Sequence, residues 1–172
     1  TPIPPPYLGK KSRSRNFSIS SSTLDEKWFE NFKEPKLDKV RFLNVSRVNP
    51  EKGIYEFLEM FRKLNFAAEI SIIGKAKSST LQEKFKSIIG DDHNIRFPGY
   101  ISEREKLIDA YDSHNILILP SYTEGQPYVV DEALARRRPV LIFEEISHII
   151  NGRKGIFVSK RDVTSFSKTS KY

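Results

Sequence analysis

Two carboxylates, Glu124 and Glu132, bracket the stretch GQPYVVD within LILPSYTEGQPYVVDEALARRRPV. An apolar run leads into a loop punctuated by Gly125 and Pro127, and a helix is expected to begin at Pro127. The free backbone N–H groups of such a helix start form a cup that receives anions. Glu124, in the loop beside the cup, can accept hydrogen bonds from sugar hydroxyls or stabilise positive charge developing on a sugar carbon. Glu132 lies roughly 7.5 Å further along the axis at about 1.5 Å per residue. Two acids so placed could grip opposite ends of an extended ligand whose diphosphate rests at the helix start. On a helical wheel Val129, Val130, Ala133 and Leu134 make the buried stripe, and Asp131 and Glu132 both flank it. Spacing alone therefore does not prefer Glu132 to Asp131, and both also fit ordinary surface acids.

A second group of residues sits in SRVNPEKG, after the apolar run VRFLNVS. Lys52 falls in the expected first helical turn, where a cation opposes the helix macrodipole by roughly 0.3–1 kcal/mol. A lysine there, followed at once by Gly53, suggests an approaching anion, with the glycine leaving room for it. Arg47 could offer a planar fork to the same phosphate. The alternative is that Glu51 offsets Lys52 and both are solvated. The stretch is neither G-x-G-x-x-G nor a P-loop, which disfavours a dinucleotide site and an ATPase. His93, His114 and His148 are scattered without ligand spacing and read as structural or surface residues, so no metal site is expected.

These side chains need a frame, and the pattern from residue 40 onward supplies one. Short runs rich in β-branched residues (VRFLNVS, AEISIIG, NIRFPGY, NILILPS, PVLIF, GIFVS) alternate with helix-period stretches. NPEKGIYEFLEMFRKLN predicts a helix with Asn49 as N-cap, Pro50 first, and Ile54, Phe57, Leu58, Phe61 and Leu64 on one face. SSTLQEKFKSIIG predicts another, ended by Gly90, and SEREKLIDAY opens with Ser102 and Glu105 at capping-box spacing. PYVVDEALARR completes the set. The alternation predicts an α/β fold, a Rossmann-like doubly wound parallel sheet, with its ligand at the carboxyl ends of the strands.

The totals bound the rest. The 172 residues accommodate one α/β domain, expected over 24–162, and their 38% hydrophobic content is enough to fill a core. Residues 163–172 are expected to be a truncated C-terminal segment. Residues 1–23, with four of the ten prolines and the clusters KKSRSR and SISSST, read as a linker or tail. TLDEKWFENF is expected to be a short amphipathic helix with Trp28 and Phe29 as packing groups. There is no cysteine, which fits a cytoplasmic, reducing compartment and removes thiolate chemistry. No apolar run is long enough for a membrane span. The net charge of +7 and isoelectric point near 9.5 attract anions without choosing among phosphates, nucleic acids and lipid headgroups.

Taken in order, RFLNVSRVNPEKG, EISIIG, IRFPGY, ILILPSYTEGQPYVVDEALA, RPV and GIFV resemble the carboxyl-terminal domain of the retaining GT-B glycosyltransferases with the E-x(7)-E motif. The resemblance covers roughly residues 40 to 160. Its most specific element runs from Glu124 to Glu132, preceded by Pro120 and Ser121 and followed by Ala133. It implies that Arg47, Lys52 and Gly53 hold the diphosphate of a nucleoside-diphosphate sugar, UDP- or GDP-linked. It implies that Glu124, the catalytic carboxylate, contacts the transferred sugar in a pocket with Gly125, Gln126 and Pro127. Glu132 would bind the ribose hydroxyls and Tyr100 would lie near the base.

No metal or other cofactor is implied. The acceptor, a glycan or lipid-linked sugar of cell-surface polysaccharide or lipopolysaccharide synthesis, would be held by a preceding domain, with peripheral membrane contact and no nucleic acid. The isolated chain would then be inactive. Three positions depart from the family pattern: Arg137 stands where glycine is usual, FEEISHIING replaces a Gly-rich loop, and His114 and Asn115 replace Ala-Asp. Two other classes remain as alternatives. A non-catalytic α/β module binding a phosphorylated ligand or a protein would not need both glutamates. A basic RNA- or membrane-binding domain using KKSRSR would lose affinity steeply with salt.

Overall fold

The structure, a computed structural model, describes residues 24–170. The KKSRSR and SISSST stretches, read as a linker or tail, lie outside the described residues. Six apolar runs form strands β1 (Val40–Val45), β2 (Ala68–Ile73), β3 (Ile95–Gly99), β4 (Ile116–Leu119), β5 (Val140–Phe143) and β6 (Ile156–Ser159). Between and after them lie α1 (Ile54–Phe61), α2 (Ser79–Ile89), α3 (Arg104–Ser113), α4 (Tyr128–Ala135) and α5 (Val163–Thr169). All pairings are parallel, and the strands run β3-β2-β1-β4-β5-β6 across the sheet.

Alternate strand residues face opposite sides, so the sheet has two cores. Phe42, Ile70, Ile72, Ile118, Leu141 and Phe143 pack with Phe57 and Leu58 of α1, Phe85 of α2 and Phe166 of α5. Leu43, Ile73, Leu117, Leu119, Val140 and Ile142 pack on the other face with Trp28, Tyr111 of α3, and Val130 and Ala133 of α4. Helices therefore cover both faces, as expected of a doubly wound sheet. Phe166 is fully buried against Phe42, Phe57 and Phe143, so the fold extends past the expected limit at residue 162.

Helix starts depart from expectation because local side chains find other partners. Asn49 does not cap α1. Its Nδ2 donates to Glu51 Oε1 at 3.0 Å, Pro50–Lys52 form a separate 3₁₀ turn, and Gly53 turns left-handed at φ 62° before α1 begins. Lys52 thus precedes α1 instead of lying in its first turn. Ser102 and Glu105 make no capping box: Glu103 is the N-cap of α3, and Glu105 pairs with Lys27 at 2.6 Å. Ser78 does cap α2, accepting from the Leu81 amide at 3.2 Å. The TLDEKWFENF helix shrinks to a 3₁₀ turn over Glu26–Phe29, with Trp28 buried and Phe29 largely exposed.

The turn after α4 keeps a left-handed residue although arginine stands there. Arg137 has φ 58°, its amide bonds the Leu134 carbonyl at 3.0 Å, and the Arg138 amide reaches Ala133 O at 2.8 Å. Those two bonds define a Schellman end, which costs a non-glycine residue roughly 1 kcal/mol. The Arg137 guanidinium lies 3.8 Å from the Phe32 ring centre, a cation–π contact that offsets part of that cost.

Arg136 and Arg138 fasten the segment before β1. Arg136, fully buried, makes a bidentate pair with Asp112 at 2.9 and 2.7 Å and donates to the carbonyls of Trp28, Glu30 and Asn31. Arg138 donates to the carbonyls of Tyr111, Lys33 and Asp112. Removing the Asp112 carboxylate would leave the buried Arg136 without its ion-pair partner, which typically costs about 3–5 kcal/mol. Asp112→Ala is therefore expected to lower unfolding free energy by about that amount in denaturant titrations. Asp109→Ala, which breaks only the exposed Lys33 pair, is expected to stay within about 1 kcal/mol. Equal effects of the two would show that the clamp does not hold the segment.

Candidate functional site

The strand order reverses between β1 and β4, and the loops leaving their carboxyl ends part to opposite faces. A crevice at such a switch point is where open α/β sheets hold ligands. Asn44, buried in β1, donates to the Ile118 carbonyl at 3.0 Å and accepts from Ser46 Oγ, so the two strands are tied just below the crevice. Beyond β1 the chain stays paired with the loop after β2, through Ser46 N to Ile73 O and Val48 N to Lys75 O. Gly74 is required there, because a Cβ would stand 1.8 Å from the Ser46 carbonyl.

The turn carrying Lys52 is packed against the loop after β4. A Cβ on Gly53 would lie 2.1 Å from Pro120 O, and the Gly53 amide is already spent on Pro50 O at 3.0 Å. The expectation that Gly53 makes room for an anion is therefore corrected: it makes room for the neighbouring backbone. The Tyr122 amide donates to Glu51 O at 3.0 Å, and Arg161 binds the Pro120 and Ser121 carbonyls. The Arg161 guanidinium also lies over the rings of Tyr122 and Phe143 and pairs with Glu145 at 2.7 Å.

This packing brings Lys52 to Glu124. The Lys52 ammonium donates to Glu124 Oε1 at 2.6 Å, and Ser121 Oγ donates to the same oxygen at 2.6 Å. The two charged side chains keep 17% and 10% of their exposure, so solvent screens the pair less than it would a surface bridge. His148 bonds the Glu124 carbonyl through Nε2 at 2.8 Å. That residue belongs to FEEISHIING, where Glu144–Ile150 form a 3₁₀ segment. Gly125 and Gln126 are exposed, and Pro127, the expected first residue of the helix, is instead the buried N-cap of α4, which begins one residue later at Tyr128. No side chain caps that helix.

The structure separates the two acids that spacing left equivalent. Asp131 is half-buried and paired with Arg153. Glu132 is 7% exposed and accepts from the Tyr111 hydroxyl at 2.7 Å. Burial, and then the charge on Glu132, push the Tyr111 phenol well above its ordinary range, which keeps it a protonated donor. Glu132 lines a cavity of about 610 Å³ with Arg47, Lys75, Tyr100, Trp28 and Val129. Tyr100 is 71% exposed at its rim.

Arg47, Tyr100 and Glu132 thus share one cavity, while Lys52 and Glu124 form a contact in the adjoining loops. Trp28, Tyr111 and Arg161 do not stand out as site residues in the sequence. No local spacing marks them, since each reaches the site across the fold. His114 takes a structural place, its Nδ1 2.6 Å from Ala110 O, and burial lowers its pKa. Asn115 is structural too, bonding the Arg41 amide and the Lys36 carbonyl. His93 is exposed, and among the described residues no three His, Asp or Glu side chains gather as metal ligands.

Residues 39–171 match the family described as Glycosyl transferases group 1. A protein of Bacillus subtilis (strain 168) named for teichuronic acid biosynthesis, the glycosyltransferase TuaC, is 33% identical over 106 residues, 61% of this chain and 25% of its own length. The capsular polysaccharide biosynthesis glycosyltransferase CapM of Staphylococcus aureus is 24% identical over 161 residues, 88% of this chain and 40% of its own. The chain therefore spans well under half the length of these relatives. The fold is shared with Anabaena Alr3699/HepE, solved in complex with UDP-glucose, at a TM-score of 0.65 and 14% identity over 78% of this chain and 38% of that one. With a match running through nearly all of the sheet and the loops that carry Lys52, Glu124 and Glu132, the chain belongs to the group 1 glycosyl transferases.

Proposed function

We propose that this domain binds the nucleoside-diphosphate sugar of a retaining glycosyltransferase, in the crevice between β1 and β4. The observation that carries the reading is the gathering there of two cations and two differently held acids: Arg47 and Glu132 around one cavity, Lys52 against Glu124 beside it. The UDP-glucose complex of HepE and the polysaccharide roles in the names of TuaC and CapM support it.

In this reading the base and ribose occupy the cavity, with Tyr100 at the base and Glu132 accepting from the ribose hydroxyls. The diphosphate crosses toward Lys52 and the uncapped start of α4. Arg47 and Lys52 offset the charge that builds on the leaving diphosphate as the sugar C1–O bond breaks, and such electrostatic stabilisation is usually the largest catalytic contribution. Glu124, with Gly125, Gln126 and Pro127, faces the sugar. A diphosphate oxygen would replace the Glu124 carboxylate as partner of Lys52, releasing that carboxylate toward the sugar carbon. Charge neutralisation comes from these side chains, so the chemistry requires no metal. The acceptor, a glycan or lipid-linked sugar, is held by a preceding domain, and this chain alone is inactive. The working place is the cytoplasm, at the inner face of a membrane, and among the described residues no helix is long and apolar enough to cross one.

Lys52→Ala is expected to weaken the nucleoside diphosphate that binds, whether UDP, GDP or ADP, by about 1.5–3 kcal/mol, roughly ten- to hundredfold. The matching nucleoside should change by less than about twofold, since the lost contact is to phosphate. Calorimetry on the pair decides it, and equal losses would place Lys52 away from the diphosphate.

In the full-length enzyme Glu124→Gln is expected to lower kcat chiefly and Glu132→Gln to raise donor KM chiefly. An interaction felt mainly in the transition state moves kcat, whereas one felt equally before it moves KM. Steady-state kinetics with varied donor measure both. If Glu124→Gln leaves kcat unchanged while Asp131→Asn abolishes it, the roles of the acids are wrong.

A further inference from the structure

The Tyr111 hydroxyl is buried in the second core and reaches across from α3 to α4 to donate to Glu132 Oε2 at 2.7 Å. Its ring is held on one side by Trp28, edge-on with centroids 5.6 Å apart at 67°. Its own carbonyl is held by Arg138 Nε at 3.0 Å, and the next residue, Asp112, grips Arg136. The end of α3 is thus pinned by two buried arginines, and Tyr111 has little freedom to move. We propose that Tyr111 is a positioning residue for the donor site, fixing the rotamer of Glu132 so that its carboxylate meets the ribose ready-made. The inference rests on the donor-site reading above and assigns a role to a residue outside the crevice.

The physical argument is preorganisation. A free glutamate on a helix start samples several rotamers and loses that freedom when it binds a ligand, at a cost of about 0.5–1.5 kcal/mol per side chain. A buried donor at 2.7 Å removes the choice before the ligand arrives, and a hydrogen bond to a charged acceptor is among the stronger ones. Trp28, which lines the cavity, ties this arrangement to the segment before β1, and its indole N–H is buried with no hydrogen-bond partner among the described residues.

Tyr111→Phe deletes only the hydroxyl and leaves the ring against Trp28. Titration of the chain with UDP, GDP and ADP by calorimetry is expected to show affinity for the binding nucleotide reduced about tenfold in the variant. On a Glu132→Ala background the same change should cost less than about twofold, because the side chain it positions is gone. A second readout separates positioning from packing. In the full-length enzyme Tyr111→Phe should raise donor KM severalfold and leave kcat within about twofold, since a ribose contact is felt equally before and in the transition state. Equal tenfold losses on both backgrounds, or a fall in kcat with donor KM unchanged, would overturn the proposal and leave Tyr111 as a packing residue. Wild-type affinity in Tyr111→Phe would overturn it as well. A folded, unaltered chain that binds none of the three nucleotides would overturn the donor-site reading and this inference together.

Discussion

The site depends on one topological constraint: β1 and β4 lie side by side and parallel, yet the chain leaves them toward opposite faces. A loop that turns to the α1 side and a loop that turns to the α4 side cannot close over each other, and the crevice between them is the consequence. Keeping that crevice narrow requires backbones to touch above it. Gly53 beneath the Pro120 carbonyl does this, while Gly74 beneath the Ser46 carbonyl keeps the loops after β1 and β2 together, and a side chain at either would push its loops apart. Arg161 also holds the Pro120 and Ser121 carbonyls. The Lys52–Glu124 contact is the result of these restraints.

The two glutamates are held in opposite ways, and the difference suits different tasks. Glu124 sits on a loop, with Lys52 and Ser121 on one oxygen and a carbonyl fastened by His148. Both Lys52 and Ser121 are partners that a bound anion or a sugar hydroxyl could exchange with. Glu132 sits on a helix with a buried phenol as its partner, an arrangement that resists exchange. In the proposed reaction one acid is poised to change partners and the other to stay still.

The period of the apolar residues makes most of the frame legible. Six strands, the α1 face of Ile54, Phe57, Leu58 and Phe61, and the helix end at Gly90 all stand where local pattern places them. What is not legible is decided at long range. Ser102 and Glu105 have the spacing of a capping box, but Lys27 takes Glu105. Asp131 and Glu132 are equivalent on a helical wheel until Arg153 claims one and Tyr111 the other. ARRRPV has the composition of a surface run of charge, yet Arg136 and Arg138 are buried because Asp112 and the carbonyls of a distant segment receive them. Gly53 is special, as its place after Lys52 suggests, but the neighbour that needs the space is the Pro120 carbonyl and not an anion.

The donor site is tested most directly by thermal unfolding of the chain with UDP-, GDP- and ADP-linked sugars in turn. A ligand that binds the folded chain alone, at about 100 times its Kd, adds about 2.7 kcal/mol. For a domain of this size that corresponds to a rise in Tm of roughly 5–10 °C. A rise of this order with one of the three nucleotide classes, reproduced by its nucleoside diphosphate and absent with its nucleoside at the same concentration, is the predicted result. A cooperative, folded chain whose Tm is unmoved by all three would contradict the assignment of the β1/β4 crevice to a nucleotide sugar.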